Sequence, residues 1–87
     1  MKLTIDSLIQ NFEDANANGA SFVGVRIKMD GFADEEVIIN GKNNFKTKLE
    51  YYKNTYDENL NHKFAKGISI SGFTYGYSYS DIQSDLL

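Results

Sequence analysis

Four aromatic side chains, Phe73, Tyr75, Tyr77 and Tyr79, alternate with small or polar residues near the end of the chain. Alternate side chains share one face of a β-strand, so this spacing predicts a continuous aromatic stripe. Exposed rings can stack on unpaired bases or bury area against a protein, whereas rings facing inward form core. The stripe is therefore the candidate partner-binding feature of this sequence, with the core as the alternative.

The charge of the chain bears on which partner the stripe would contact. Twelve acidic and nine basic residues give a net charge of −3, whereas proteins bind nucleic acid largely by neutralising phosphates. The spacers are Thr74, Gly76 and Ser78, and no Lys or Arg follows Gly67. We therefore expect little affinity for double-stranded DNA. The stripe favours a protein partner, and single-stranded nucleic acid is the alternative.

Tyr51 is a fifth candidate contact residue. Tyr52 and Tyr56 lie on the apolar face of a predicted helix, whereas Tyr51 is rotated off that face. We therefore expect the Tyr51 ring to be exposed, where it would extend an aromatic surface beside an open sheet face.

Residues suited to catalysis or metal binding are sparse. The chain has one histidine, His62, and no cysteine, which excludes thiolate chemistry and the familiar zinc patterns. Ser69 lies between Gly67 and Ser71, so the last glycine of a nucleophile elbow is missing. The carboxylates of residues 30–36 lack the alternating spacing of a calcium loop. The sequence predicts no enzyme activity, no metal site and no cofactor.

Length and composition indicate one domain, residues 1–87. The chain is 41% hydrophobic, enough for a core without disulfides or a metal. No segment approaches the ~20 apolar residues that span a bilayer, and we find no signal-peptide pattern. We therefore expect a cytoplasmic domain that does not enter a membrane.

The first third of the chain predicts a helix followed by a hairpin. Residues 4–17 repeat apolar side chains with helical spacing, with Thr4 as the N-cap and Asn18 and Gly19 as the stop. Residues 22–29 then alternate, and after a turn residues 36–40 are rich in Val and Ile. Arg26 and Lys28 could pair across the hairpin with Glu35 and Glu36.

A second helix is predicted from Asn43 or Asn44 to about residue 59. Its apolar face comprises Phe45, Leu49, Tyr52 and Tyr56, and Leu60 continues the same line. The final strand then changes phase, because Ile68 and Ile70 occupy even positions and the aromatic stripe odd ones. Gly72 stands at the shift, where a β-bulge or a bend would restore the facing.

These elements predict an α+β two-layer sandwich in the order α-β-β-α-β, with both helices on one face of a small, mainly antiparallel sheet. Residues 80–83 have the form of a capping box, which predicts a C-terminal helical turn. The opposite sheet face would stay open to water or a partner. A tyrosine-rich edge strand could also pair with its own copy, which predicts a homo-oligomer as one possibility.

Three segments resemble small uncharacterised proteins of phages and prophages in low-GC Gram-positive bacteria. They are GASFVGVRIKMDGF at 19–32, KLEYYKNTY at 48–56 and GISI at 67–70. The resemblance implies an accessory role in phage biology, exerted in the host cell by binding a host or phage protein. The helix-first order is also similar to that of some anti-CRISPR inhibitors, although no functional residue is matched.

Overall fold

The computed structural model describes residues 3–87 and confirms an α+β fold. The described elements are α1 (Ile5–Ala17), β1 (Phe22–Met29), β2 (Glu36–Gly41), α2 (Phe45–Thr55), β3 (Ile68–Gly76) and α3 (Tyr79–Leu86). A short 3₁₀ turn, Lys42–Asn44, leads into α2. The strands form one antiparallel sheet in the order β2-β1-β3, so β1 lies in the centre.

The ends of α1 follow the predicted capping chemistry. The Thr4 hydroxyl accepts the Ser7 N–H at 3.2 Å, and the Ser7 hydroxyl accepts the Thr4 N–H at 3.0 Å. These reciprocal bonds satisfy backbone donors that the first helical turn leaves free. At the other end, Gly19 takes a φ of +67°, a left-handed conformation that glycine adopts without strain.

The phase change in β3 is a β-bulge, one of the two alternatives that the sequence left open. Arg26 lies opposite Gly72 and Ile27 lies opposite Ile70, so Ser71 is an extra residue on β3. The bulge returns both halves of β3 to one face of the sheet. Ile70 and Phe73 are both buried in the same core cluster, which confirms the restored facing.

The main core lies between the sheet and the pair α1 and α2. Its buried side chains come from both helices, from β1 and β3, and from the segment after α2; they are Leu8, Phe12, Ala15, Ala20, Val23, Val25, Ile27, Phe45, Tyr52, Tyr56, Leu60, Ile70 and Phe73. Both predicted helices therefore cover one face of the sheet. The predicted apolar face of α2 is confirmed as well.

The opposite sheet face is not open, which corrects our expectation. The predicted C-terminal turn is the eight-residue helix α3, and its Ile82 and Leu86 are buried against that face. A Cβ atom at Gly24 would overlap Ile82 Cγ2, and one at Gly76 would lie 2.7 Å from Asp81 Cβ. Gly24 and Gly76 have no side chains, so α3 can pack close to the backbone of the sheet there. We call this part of the sheet face the glycine strip.

Arg26 fastens α3 and the bulge to the central strand. Its Nε donates to the Ser71 hydroxyl at 3.0 Å and its Nη2 to the Ser71 carbonyl at 2.9 Å. Its Nη1 donates to the Leu86 carbonyl at 2.9 Å, near the end of α3. The Glu35 carboxylate lies 3.5 Å from Nε, which confirms one of the predicted cross-hairpin pairs.

Helix α2 ends at Thr55, so the predicted end near residue 59 is wrong. The Asp57 carboxylate accepts the N–H groups of Asn59 and Asn61 at 2.9 and 3.0 Å, and these bonds hold a turn that competes with the helix. Leu60 takes a φ of +63° yet is fully buried. The turn therefore returns Leu60 to the core without a helix.

The same turn covers part of the outer edge of β3. The His62 N–H donates to the Ile68 carbonyl at 2.8 Å, and the Ile70 N–H donates to the Leu60 carbonyl at 2.9 Å. We expected the outer edge of β3 to be free to pair with a second copy. Its first part, at Ile68 and Ile70, is instead already hydrogen-bonded to the turn.

Gly24→Ala tests the close packing of α3. The new methyl group would displace Ile82, so we expect a loss of about 1–3 kcal/mol in the free energy of unfolding, measured with urea. Gly41→Ala is the matched control, because a Cβ there meets only the Ser21 carbonyl oxygen at 4.0 Å. Equal stability of the two variants would contradict the described position of α3.

Arg26→Lys tests the fastening of the bulge and α3. A single ammonium group cannot reproduce the forked donation of a guanidinium, so we expect a loss of about 1–3 kcal/mol. Hydrogen exchange in α3 should also accelerate. Lys28→Arg, at an exposed position on the same strand, is the control and should change stability by less than about 0.5 kcal/mol.

Candidate partner-binding surface

The predicted aromatic stripe divides at Gly76, where β3 ends. Phe73 is buried in the core and Tyr75 packs against the core partly buried, so the core interpretation applies to these two. Tyr77 and Tyr79 are 56% and 58% exposed. The prediction of one continuous stripe is therefore wrong, because the chain leaves the sheet before the last two rings.

The change of direction after β3 has a local cause. The Ser78 hydroxyl accepts the Asp81 N–H at 3.2 Å and caps α3, so the capping box predicted at residues 80–83 is wrong. The Asp81 carboxylate accepts the Tyr77 N–H at 3.1 Å. Together these bonds satisfy donors at the start of the helix and fix Tyr77 in the turn between β3 and α3.

Two exposed tyrosines and a half-buried phenylalanine lie at the end of the sheet where β1 begins; we call Phe22, Tyr77 and Tyr79 the aromatic patch. The Phe22 and Tyr79 ring centroids are 4.8 Å apart. The Tyr77 hydroxyl donates to the Asn18 carbonyl at 3.0 Å, which ties the ring to the end of α1. Phe22 and Tyr79 therefore form one ring pair, and Tyr77 lies two residues before Tyr79 in the adjoining turn.

Tyr75 shares its hydrogen-bonding residue, Asn18, with Tyr77 of the patch. Its hydroxyl accepts a hydrogen bond from Asn18 Nδ2 at 3.0 Å, and the Asn18 amide also donates to the Asp14 carbonyl. Asn18 thus contacts both Tyr75 and Tyr77. Rings held in this way lose little rotamer freedom on binding, which saves about 0.5–1.5 kcal/mol for each side chain that is already ordered.

Two acidic residues of α3 and one lysine lie at this end of the sheet. Asp81 contacts the backbone of Tyr77, and the Asp85 carboxylate accepts a hydrogen bond from the Thr74 hydroxyl at 2.9 Å. The exposed Lys42 follows Gly41, which pairs with Phe22. Tyrosine faces attract ammonium and guanidinium groups, and carboxylates do so more strongly. The surroundings of the patch therefore suit a basic or apolar partner surface better than phosphates.

Tyr51 lies away from this patch. It is exposed, as predicted, and its ring packs on Tyr52 with a centroid distance of 5.4 Å. Lys48 Nζ lies 4.8 Å from the centre of the Tyr51 ring. Tyr51 lies on α2, while Phe73 is buried and Tyr75 is partly buried, so the five predicted contact residues do not form one exposed surface.

Two strongly exposed phenylalanines at the opposite end of the sheet escaped the sequence analysis. Phe64 is 79% exposed and Phe32 is 67% exposed, in loops beside the end of β1 and the start of β3. Neither belongs to a periodic segment, so hydrophobic patterning gives no signal for them. A polar cavity of about 350 Å³ lies at this end, between Asp30 and the 61–69 segment.

His62 lines this cavity but has a structural role in the loop. Its Nδ1 accepts the Phe64 N–H at 3.0 Å, and its ring packs edge-on to Tyr56 with a centroid distance of 5.2 Å. The described residues contain no group of three or more His, Cys, Asp or Glu side chains placed to hold a metal ion.

Two tyrosine hydroxyls of the core, those of Tyr52 and Tyr56, have raised pKa values. Burial raises the pKa of the Tyr52 hydroxyl above its ordinary value, and Tyr56 and Tyr51 add smaller effects in the same direction. Burial likewise raises the pKa of Tyr56. The Tyr52 hydroxyl is also buried without a hydrogen-bond partner. These groups stay protonated in the fold.

Tyr52→Phe tests the unpartnered hydroxyl. At neutral pH we expect the variant to be as stable as the wild type or up to about 1 kcal/mol more stable, because no hydrogen bond is lost. Tyr75→Phe is the control and should lose up to about 1 kcal/mol with its Asn18 contact. A clear loss in Tyr52→Phe would show that its hydroxyl has a partner.

The raised pKa also predicts a weakness at alkaline pH. The folded state holds the phenol proton more tightly than the unfolded state, so this stabilisation is complete below the unfolded pKa of about 10 and is lost as pH rises beyond it. The free energy of unfolding should then fall by up to about 1.4 kcal/mol per pH unit for one such group. Urea unfolding of wild type and Tyr52→Phe should show a shallower fall in the variant.

Within residues 3–87, no helix is both long and apolar enough to cross a bilayer. Comparison with known proteins gave no matching family model, curated protein or solved structure.

Proposed function

We propose that this chain is a non-enzymatic protein-binding module and that the aromatic patch is its contact surface. The observation that carries the proposal is the pair of tyrosine rings, Tyr77 and Tyr79, which are more than half exposed yet held in place. Tyr77 is held by its hydrogen bond to Asn18, and Tyr79 by its packing on Phe22.

Tyrosine is enriched at the centres of protein interfaces because its ring buries a large area and orders only two torsions. Rings fixed in advance avoid much of the entropy loss that binding otherwise carries. The neighbouring carboxylates of Asp81 and Asp85 favour a partner with Lys or Arg beside an apolar contact. A basic and partly apolar protein surface fits these features.

The sequence resemblance supports the biological setting. It suggests a phage accessory protein that acts in the host cytoplasm on a host or phage protein. A binding role also agrees with the position of both groups with raised pKa values, Tyr52 and Tyr56, in the core.

Tyr77→Ser/Tyr79→Ser tests the patch. Affinity purification from host cells with the wild type should recover a partner that the double variant retains at least about 30-fold less well, the loss expected for an interface hot spot. Phe64→Ser is the matched control, since it removes an exposed ring at the opposite end of the sheet. Circular dichroism should show that all three proteins are folded.

Equal recovery by the folded double variant would remove the aromatic patch from consideration. Loss of the partner only in Phe64→Ser would move the contact surface to the other end of the sheet. Either result would reject the aromatic patch as the contact surface without contradicting the α+β fold.

Single-stranded nucleic acid remains the competing ligand, because exposed tyrosines can stack on bases. We expect no binding to labelled oligonucleotides in fluorescence anisotropy at low salt, since Asp81 contacts the Tyr77 backbone and no Lys or Arg follows Gly67. Binding that weakens as salt rises, and that is lost in Tyr77→Ser/Tyr79→Ser, would replace the protein partner with nucleic acid.

A further inference from the structure

Strand β2 lies at the edge of the sheet with one side unpaired. It pairs with β1 alone, and among the described residues no loop backbone bonds to Glu36–Gly41 from outside. The outer edge of β3 differs, because Leu60 and His62 bond to it. The free edge of this sheet is therefore β2.

The pairing with β1 determines which β2 groups face outward. The Lys42 N–H, at the start of the 3₁₀ turn, donates to the Ser21 carbonyl at 3.0 Å and so points toward β1. Backbone direction alternates along an antiparallel strand, which turns residues 40, 38 and 36 inward as well. The register with β1 pairs Val25 with Ile38 and Val23 with Asn40, in phase with the Lys42 N–H bond, so the N–H and C=O groups of Val37, Ile39 and Gly41 point away from the sheet.

This edge has little of the usual protection against strand pairing, because its only charged residue is Glu36 at the first position. Monomeric proteins block free edges with proline, bulges or charged side chains within the strand. Between residues 37 and 41 the sequence is Val-Ile-Ile-Asn-Gly, with no proline and no charge, and the pairing with β1 is regular. The only charges adjoining this stretch are the exposed Glu36 and Lys42 at its two ends.

We propose that β2 pairs antiparallel with β2 of a second copy of this chain, about a two-fold axis at Ile39. Ile39 then lies opposite Ile39 of the second copy, and Val37 lies opposite Gly41 of the second copy. Each outward residue exchanges two N–H···O=C bonds with its counterpart, as in any hydrogen-bonded antiparallel pair. The two sheets join into one.

Charge complementarity selects this register. With the axis at Ile39, Glu36 lies opposite Lys42 of the second copy, and symmetry repeats this ion pair at the other end. With the axis at Ile38, Glu36 would instead face Asn40 of the second copy, and fewer outward groups would pair. An axis between these residues would place outward groups opposite inward ones. The second copy of the chain is therefore the occupant that fits.

Charge reversal tests the register without altering the core. In E36K both ends of the interface carry opposed Lys side chains, and in K42E they carry opposed Glu side chains. Sedimentation velocity over a range of concentrations should show that the wild type dimerises. For each single variant the dissociation constant of the dimer should be about tenfold larger than that of the wild type. K46E is the control, because it makes the same charge change at an exposed position on α2 and should dimerise like the wild type.

Two rescues follow from the symmetry. An equimolar mixture of E36K and K42E should associate like the wild type. In a mixed dimer each end of the interface again brings a Lys opposite a Glu. The double variant E36K/K42E should also recover. In the wild type, amide exchange at Val37, Ile39 and Gly41 should slow as concentration rises.

A monomer at every concentration would overturn the proposal, as would single variants that associate normally or a mixture no stronger than its components. Association that is lost in Tyr77→Ser/Tyr79→Ser but kept in the charge variants would place the self-contact at the aromatic patch. The proposal stands apart from the partner-binding role, because neither Glu36 nor Lys42 belongs to the patch.

Discussion

The structure depends on the contact between Arg26 and the bulge at Ser71. The guanidinium donates to both the hydroxyl and the carbonyl of Ser71, so it holds the extra residue in place on β3. That residue lets Ile70 and Phe73 enter the same core despite their opposite parity in sequence. The remaining donor reaches the Leu86 carbonyl and fastens α3 to the other face. The Arg26 side chain therefore links β1, β3 and α3.

The exposure of the aromatic patch follows from this arrangement. Helix α3 must start directly after β3 to bring Ile82 and Leu86 over the glycine strip, so the chain has only a short turn in which to reverse. Tyr77 lies in that turn and Tyr79 at the first helical position, where neither ring can reach the core. Their hydrogen bond and ring contact fix them at the surface instead. Packing of the helix thus explains both why the rings are exposed and why they are ordered.

Periodicity and turn residues were enough to predict α1, the hairpin, the buried face of α2 and the position of the bulge. They could not predict where α2 ends, because Tyr56 and Leu60 keep helical spacing although Asp57 and a left-handed Leu60 bring them to the core by a turn. The alternation of aromatic and small or polar residues likewise continues unchanged from β3 into α3, so the sequence pattern does not show where the strand ends. The signal for the covering helix was Gly24, Gly72 and Gly76 together, but only the register shows that they share a face.

The aromatic patch and the free edge of β2 are related through β1. Phe22 pairs with Gly41, so the patch lies at the end of the sheet where β2 finishes. A two-fold axis at Ile39 reverses the second copy along the strand direction, and its patch then lies at the far end of the joined sheet. Such a dimer would present two tyrosine surfaces facing opposite ways, suited to bridging two partner molecules rather than gripping one. Any gain in avidity would then require a partner that is itself repeated, as in an assembly of identical subunits.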